Sequence, residues 1–329
     1  MPPLPEPQPL EETPDLYGAY PRLDPEQIER LQALGVRRET QAGDVLYREG
    51  DTDCELIVIL EGSVAIVEAY GTDGERVIGV HGPRRFIGEL GLVVGQPAFL
   101  TAVVREPGAV LCVPTQRLRQ LVGEDAALGD LILRALMLRR TILIGLGTGF
   151  RIIGSRYSPD TRRLREFAAR NRLPHHWIDL EQDAGAERLL ETLGVPPEDT
   201  PVVILRGSEV LRNPSNEELA RRLGLLHADD AGTSCDLLVV GAGPAGLAAS
   251  VYGASEGLDT ILLDGVATGG QAGTSSRIEN YLGFPAGVSG AELAERAEIQ
   301  AEKFGARIQV PAEATAIAAR DGGYDVTFG

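Results

Sequence analysis

The spacing of apolar residues changes character several times along the chain. Residues 1–15 are rich in Pro and Glu and poor in apolar side chains, which predicts a disordered tail. The stretch PEQIERLQAL (25–34) places apolar residues at helical spacing behind Asp24 as cap, with Pro25 in the first turn, and predicts a short amphipathic helix. From residue 37 to 113 the texture is one of short apolar runs, ELIVILEG, SVAIVEAY, RVIGVHG and TAVVREPGAVLCV, separated by turns such as Ala42-Gly43-Asp44. Many short strands at close spacing predict a β-roll or barrel. Residues 115–144 return to helical spacing, with Gly123 and Gly129 as expected breaks.

A second pattern starts at Gly149. FRIIGS reads as a strand, SPDTRRLREFAARN as a helix capped near Ser158, HHWIDLEQ as a strand and GAERLLETLG as a helix. TPVVILRG and SEVLRN then read as an antiparallel pair, followed by a last helix, SNEELARRLG, which completes β-α-β-α-β-β-α. Residues 226–235 are a polar linker. At Asp236 a third pattern opens: strand DLLVV, a glycine-rich turn, a helix of small residues and strand DTILLD. The expected fold class is therefore multidomain. A β-roll with helices spans 16–148, a small α/β unit spans 149–225, and an α/β dinucleotide-binding half-domain spans 236–329.

Charge narrows the function classes. A net charge of −17 repels a phosphate backbone and argues against nucleic-acid binding. No apolar run reaches the roughly 18 residues of a membrane helix, and the N-terminus lacks the basic and apolar regions of a signal peptide. The cytoplasm is the default, with no membrane partner. Three cysteines, Cys54, Cys112 and Cys235, are far apart and form no C-x-x-C. With four scattered histidines they predict no metal site.

The strongest chemical signal is Gly241-Ala242-Gly243-Pro244-Ala245-Gly246, which fits G-x-G-x-x-G between an apolar strand and a helix, with Asp264 ending the next strand. Gly241 permits the tight turn, Gly243 lets the backbone approach a pyrophosphate, and Gly246 lets helix and strand pack closely. Free N–H groups at the helix start face the phosphates, and the Asp264 carboxylate is placed to accept hydrogen bonds from a ribose.

The segment ATGGQAGTSSRIENYLGFPAGVSGAEL (267–293) resembles the flavin-contacting loop of the thioredoxin reductase family. The resemblance implies FAD as cofactor, with Gly269, Gly270 and Gln271 along it and Asn280 towards the flavin. It also places Glu313 or Ala314, in QVPAEATAI, at the adenine. Family members continue with an NAD(P)H domain that carries a redox C-x-x-C, and the chain is expected to be a truncated piece of such a protein. No catalytic residue is expected within it. An intact protein would use NADPH or NADH, reduce a thioredoxin-like protein disulfide and form a homodimer.

Two further resemblances complete the order. FIGELGLVVGQPAFLTAVV (86–104) resembles the phosphate cassette of cyclic-nucleotide-binding domains. Gly88, Glu89 and Leu90 match it, but Ala98 stands where the resemblance places the phosphate-binding arginine. A different small-molecule ligand or a structural role is expected there. Residues 154–223 resemble glutaredoxin and thioredoxin, with Ser155-Arg156-Tyr157-Ser158 in place of the thiol motif and Thr200-Pro201 at the cis-proline position. That unit is expected to be redox-inert. The three resemblances together imply a thioredoxin-reductase-like flavoprotein with an N-terminal sensor-like domain. The alternatives are a peroxiredoxin-reductase-type flavoprotein and a non-catalytic, ligand-regulated binding module.

Overall fold

The structure is a computed structural model that describes residues 11–52, 54–72, 74–88, 97–226, 232 and 234–329. Its contacts divide it into two compact units, with the boundary along the chain between Leu143 and Ile144.

In the first unit, helix α1 (Pro25–Gln32) starts on a full capping box: the Gln27 N–H donates to the Asp24 side chain, and the Asp24 N–H donates back to Gln27. A six-stranded antiparallel sheet follows, built on β1 (Val36–Thr40), β2 (Val45–Tyr47), β3 (Leu56–Glu68), β4 (Arg76–His81), β5 (Phe86–Ile87) and β6 (Thr101–Val113), with β1-β6-β3-β4 as its spine. The runs read as two strands around Gly62 are one strand. Bulges let β3 and β6 bend together. Gly62 takes φ +81°, and an added Cβ on Gly108 would lie 2.2 Å from the Glu61 carbonyl oxygen, so both positions need glycine. Tyr47, Ile57, Ile59, Ile87, Ala98, Val104 and Val110 close one core inside the roll. Each large apolar side chain buried there contributes about 1.5–3 kcal/mol.

The end of the presumed tail is tied down. Thr13 N–H donates to the Val80 carbonyl at 2.9 Å, and Gly82 N–H donates to the Glu12 carboxylate at 3.0 Å. One backbone and one side-chain anchor give these residues an ordering energy that their composition does not advertise.

The helical stretch splits into α2 (Thr115–Glu124) and α3 (Ala126–Gly145). The break is at Asp125, not at Gly123 or Gly129. Asp125 is extended (φ −113°, ψ 92°), and its side chain caps Leu128 N–H at 3.0 Å. Gly129 serves a different end. An added Cβ would sit 2.9 Å from Val122 Cα, so it lets the two helices approach.

The second unit begins with β7 (Phe150–Gly154), α4 (Pro159–Arg170), β8 (His175–Asp179), α5 (Ala186–Thr192), β9 (Val202–Leu205), β10 (Glu209–Arg212) and α6 (Asn216–Arg222). The sheet order is β10-β9-β7-β8. β7 and β8 are parallel; β9 and β10 are antiparallel to their neighbours. The Thr200–Pro201 peptide is cis, as the glutaredoxin resemblance leads one to expect. Most of the expected linker lies outside the described residues.

The same unit continues with β11 (Leu237–Val240), α7 (Pro244–Ser255), β12 (Thr260–Leu263), α8 (Gly290–Lys303) and β13 (Arg307–Gln309), in a parallel sheet of order β11-β12-β13. A hairpin of β14 (Ala314–Arg320) and β15 (Gly323–Phe328) ends it. Helices α7 and α8 cover the sheet through Leu247, Ala254, Leu262, Ala301 and Ile308. The glutaredoxin-like part holds this part at one corner. Arg172 donates to the Ala291 carbonyl at 3.0 Å and pairs with buried Glu295, and Asn171 donates to the Val266 carbonyl at 3.1 Å.

Candidate functional site: the glycine loop and two altered companions

The loop between β11 and α7 is built by backbone. Gly241 takes φ +99°, and its N–H donates to the Leu263 carbonyl at 2.7 Å, which locks the turn onto β12. Gly246 cannot carry a side chain: an added Cβ would lie 1.9 Å from the Gly241 carbonyl oxygen. Gly243, in contrast, faces open space, with no heavy atom within 4 Å of an added Cβ. It is the N-cap of α7, no side chain caps that helix, and Pro244 stands in its first turn. The first turn therefore presents its N–H groups, with the positive end of the helix dipole behind them, to the space above Gly243. Ala245 is exposed in that turn.

The second glycine-rich segment closes on the first. Gly269 N–H donates to the Ala242 carbonyl at 2.7 Å, and an added Cβ on Gly270 would meet Gly243 Cα at 3.1 Å. Both glycines have positive φ, +95° and +54°. Gly290 keeps this loop on α8, since an added Cβ there would lie 1.7 Å from the Ala272 carbonyl oxygen. Nothing in the residue pattern had singled out Gly290 or Ala242. Only the three-dimensional approach of the two loops shows their roles.

Asp264 has more to do than the sequence suggested. Its Oδ2 accepts the Ala242 N–H at 2.8 Å, and its Oδ1 accepts Val266 N–H at 2.9 Å and Ala267 N–H at 3.1 Å. The carboxylate thus fixes the glycine loop and the start of the next loop at once, and a ribose hydroxyl would share an oxygen already engaged. The segment expected at the adenine runs beside it. Ala312 N–H donates to the Asp264 carbonyl at 2.8 Å, and Gly265 faces Glu313. Ala314 itself begins β14 and packs towards Ile261 and Leu263. Gln271 and Asn280 are both exposed, Gln271 before a short 3-10 turn and Asn280 on the following loop.

The glutaredoxin-like site has no thiol. Ser155 Oγ donates to Glu181 at 2.8 Å, and Ser158 caps α4 by accepting Thr161 N–H at 3.3 Å. Arg156 Nε donates to buried Asp179 at 2.6 Å. Burial of Asp179 works against its charge, but Arg156 and the N–H groups of Glu181 and Arg156 hold its carboxyl below the usual range. The Arg156 end of the Arg156–Asp179 ion pair lies in the segment that the glutaredoxin resemblance aligns with the thiol motif. None of the three cysteines forms a disulfide among the described residues; burial pushes the Cys112 thiol up, which favours its unreactive form.

In the cassette segment of the β-roll, Gly88 is described, with φ +141°, while Glu89 and Leu90 lie outside the described residues. Ala98, Phe99 and Leu100 are buried, at 9%, 8% and 1% exposure, so the position of the missing arginine is filled by apolar packing. No helix among the described residues is long and apolar enough to cross a membrane.

Comparison with known proteins finds likenesses for two stretches of the chain. Residues 37–125 match the family model of the cyclic nucleotide-binding domain. The C-terminal part is similar to thioredoxin reductases. The protein named thioredoxin reductase of Treponema pallidum is 41% identical over 97 residues, covering 30% of this chain and 31% of its own. The NADPH-dependent thioredoxin reductase 3 of Arabidopsis thaliana is 32% identical over 116 residues, covering 31% and 22%. Among solved structures, the thioredoxin reductase of T. acidophilum aligns at 36% identity with a TM-score of 0.27, covering 29% of this chain and 30% of that one. The chain thus spans less than a third of the length of the curated relatives it matches.

Proposed function

We propose that the chain carries the nucleotide-binding front half of an FAD-dependent pyridine-nucleotide disulfide oxidoreductase of thioredoxin-reductase type, preceded by a sensor-like β-roll and a redox-inert glutaredoxin-like spacer. The observation that carries this reading is the closure of Gly269-Gly270 onto Gly243 above an uncapped helix N-terminus. That cradle fits a pyrophosphate: it is open above Gly243, and the α7 first turn supplies N–H donors. Asp264 holds the cradle in place. Gly241, Gly243, Pro244, Ala245 and Gly246 would line the phosphates, with Gly269, Gly270, Gln271, Asn280 and Ala314 along the rest of the cofactor. FAD, when bound, supplies a carrier of two electrons. The electron donor, NADPH or NADH, and the redox dithiol belong to parts of such a protein that these residues do not provide. A thioredoxin-like disulfide protein is the proposed partner, the intact protein is a homodimer, and the cytoplasm is the compartment that keeps isolated thiols reduced.

The ion pair at Arg156–Asp179 bears on the alternative in which the glutaredoxin-like part relays electrons to a peroxiredoxin. That relay needs a dithiol, and serines occupy both positions. The test of the main reading is equilibrium binding of FAD to the purified chain, followed by flavin fluorescence, against the same chain carrying Gly243→Ala. Saturable binding weakened by the substitution supports the site. An affinity indifferent to Gly243 means the loop is not where the cofactor sits.

A further inference from the structure

One helix end in the second unit is strained where the others are relaxed. Among the described residues, helices α5, α6, α7 and α8 each stop on a glycine with positive φ: Gly194 at +62°, Gly224 at +69°, Gly257 at +86° and Gly305 at +96°. In all four, the glycine N–H and the N–H after it reach back to carbonyls of the last turn, an arrangement that calls for a left-handed residue. Helix α4 ends in the same way. Arg172 N–H donates to the Ala169 carbonyl at 3.1 Å, and Leu173 N–H donates to the Ala168 carbonyl at 2.9 Å. Its left-handed residue, however, is an arginine, with φ +53°. A side chain there crowds its own backbone, and glycine would not.

The compensation lies in what that side chain reaches. Arg172 Nη1 donates to the Ala291 carbonyl at 3.0 Å and to Glu295, which is 3% exposed. Both acceptors lie near the start of α8. Beside it, Asn171 Nδ2 donates to the Phe167 carbonyl at 2.9 Å and to the Val266 carbonyl at 3.1 Å, so both amide hydrogens are used.

The two elements gripped in this way bracket the second loop of the cradle. Val266 precedes the loop, and its N–H and that of Ala267 rest on Asp264. Helix α8 follows the loop and supports it. Gly290 N–H donates to the Ser275 carbonyl at 2.8 Å, Thr268 Oγ1 donates to Glu298 at 2.9 Å, and an added Cβ on Gly269 would meet Ala294 Cβ at 2.7 Å. A shift of Val266 against α8 would therefore move Gly269 and Gly270, which close on Ala242 and Gly243.

We propose that Asn171 and Arg172 are positioning residues for the nucleotide site. The redox-inert glutaredoxin-like part is a brace: it sets the distance between Val266 and α8, and so holds the Gly269–Gly270 loop closed over Gly243. The consequence for the cofactor rests on the reading of that cradle as an FAD site; the closure of the loop does not. Both bonds of Arg172 leave from one nitrogen, so a lysine ammonium can make them too.

Hydrogen exchange on the whole chain, without ligand, tests the brace. Arg172→Gly removes the side chain and relaxes the backbone, and the Gly269 and Gly273 amides should then exchange roughly tenfold faster than in the parent. The Gly241 amide, bound to Leu263, and the Leu173 amide at the end of α4 should keep their rates. Arg172→Lys should restore most of the protection. Asn171→Ala, which leaves the ion pair in place, serves as the second variant and should speed the same amides to a smaller extent. In a flavin titration, Arg172→Gly should bind FAD about fivefold more weakly than the parent. Unchanged exchange at Gly269 and Gly273 in both variants overturns the proposal. So does faster exchange spread evenly over the unit, which would make Arg172 a general stabiliser. Equal FAD affinity in a parent that binds it overturns the bearing of the brace on the cofactor. A parent that binds no FAD counts against the cofactor reading alone, and the exchange rates then decide on the brace.

Discussion

The loop at 241–246 offers a ligand almost nothing but backbone, whereas the segment at 97–101 of the β-roll fills the equivalent region of its own fold with buried side chains. Both regions resemble phosphate-handling elements, but they place their chemistry differently. The glycine loop works through N–H groups whose positions follow from φ, from close approach and from a helix end. The resemblance places an arginine side chain at Ala98, which is instead buried among apolar neighbours. A backbone-built site is therefore hard to lose without losing local structure, and a side-chain-built one is easy to lose. The unit at 149–225 has the same character: its strand order and cis Thr200–Pro201 peptide stand beside serines at the positions that the resemblance assigns to thiols.

The sharpest way to break this comparison is to separate the glycines. Gly246→Val should destabilise the nucleotide-binding part by about 3 kcal/mol or more, because no rotamer avoids the Gly241 carbonyl. Gly243→Ala should stay within about 0.5 kcal/mol of the parent and lose FAD affinity instead. Denaturant titration and flavin binding on the same two proteins decide it. Equal destabilisation would mean that Gly243, too, is only structural.

Asp264→Ala should cost about 2 kcal/mol, because three backbone N–H groups lose their acceptor. Asp264→Asn keeps one acceptor oxygen and should cost less. If both were silent in denaturation, the carboxylate would not be the post that holds the two loops.

Acid sharpens the view of the β-roll. Folded His81 stays neutral down to about 3, while in the unfolded chain it takes a proton near 6.5. The unfolded state therefore binds more protons within that window. Stability is full above 6.5 and drains as the pH falls towards 3. His81→Phe should flatten the slope between pH 7 and 5 in the thermal unfolding of the β-roll. His175, also pulled down by burial, acts in the same direction in the second unit, so the variant and the parent must be compared. An unchanged slope would mean that buried His81 does not set the acid sensitivity of the β-roll. The smallest effect is Ser158→Ala, about 1 kcal/mol for a lost N-cap, read by denaturation of the second unit.

Much of this was legible in the residues. The capping box at Asp24, the β-α-β-α-β-β-α order and the glycine fingerprint are local patterns, set by hydrogen bonding and backbone sterics within a few residues. The missing arginine and the missing thiols were legible too, since a side chain that is absent needs no structure to reveal it. What the sequence misplaced depended on contact. Gly62 was punctuation in the string but is a bend in a continuous strand. Gly129 was read as a break but is a close approach, and the actual break is at Asp125.

The sequence by itself determined the kind of each element and the identity of the backbone-built loop, because those follow from short-range sterics. Tertiary structure alone decided which groups became neighbours. It placed Asp264 under three N–H groups, set Gly290 against Ala272, and buried His81 and Arg139 together. Burial and proximity of residues up to 120 positions apart set charge state and partner there, and no pattern along the chain encodes either.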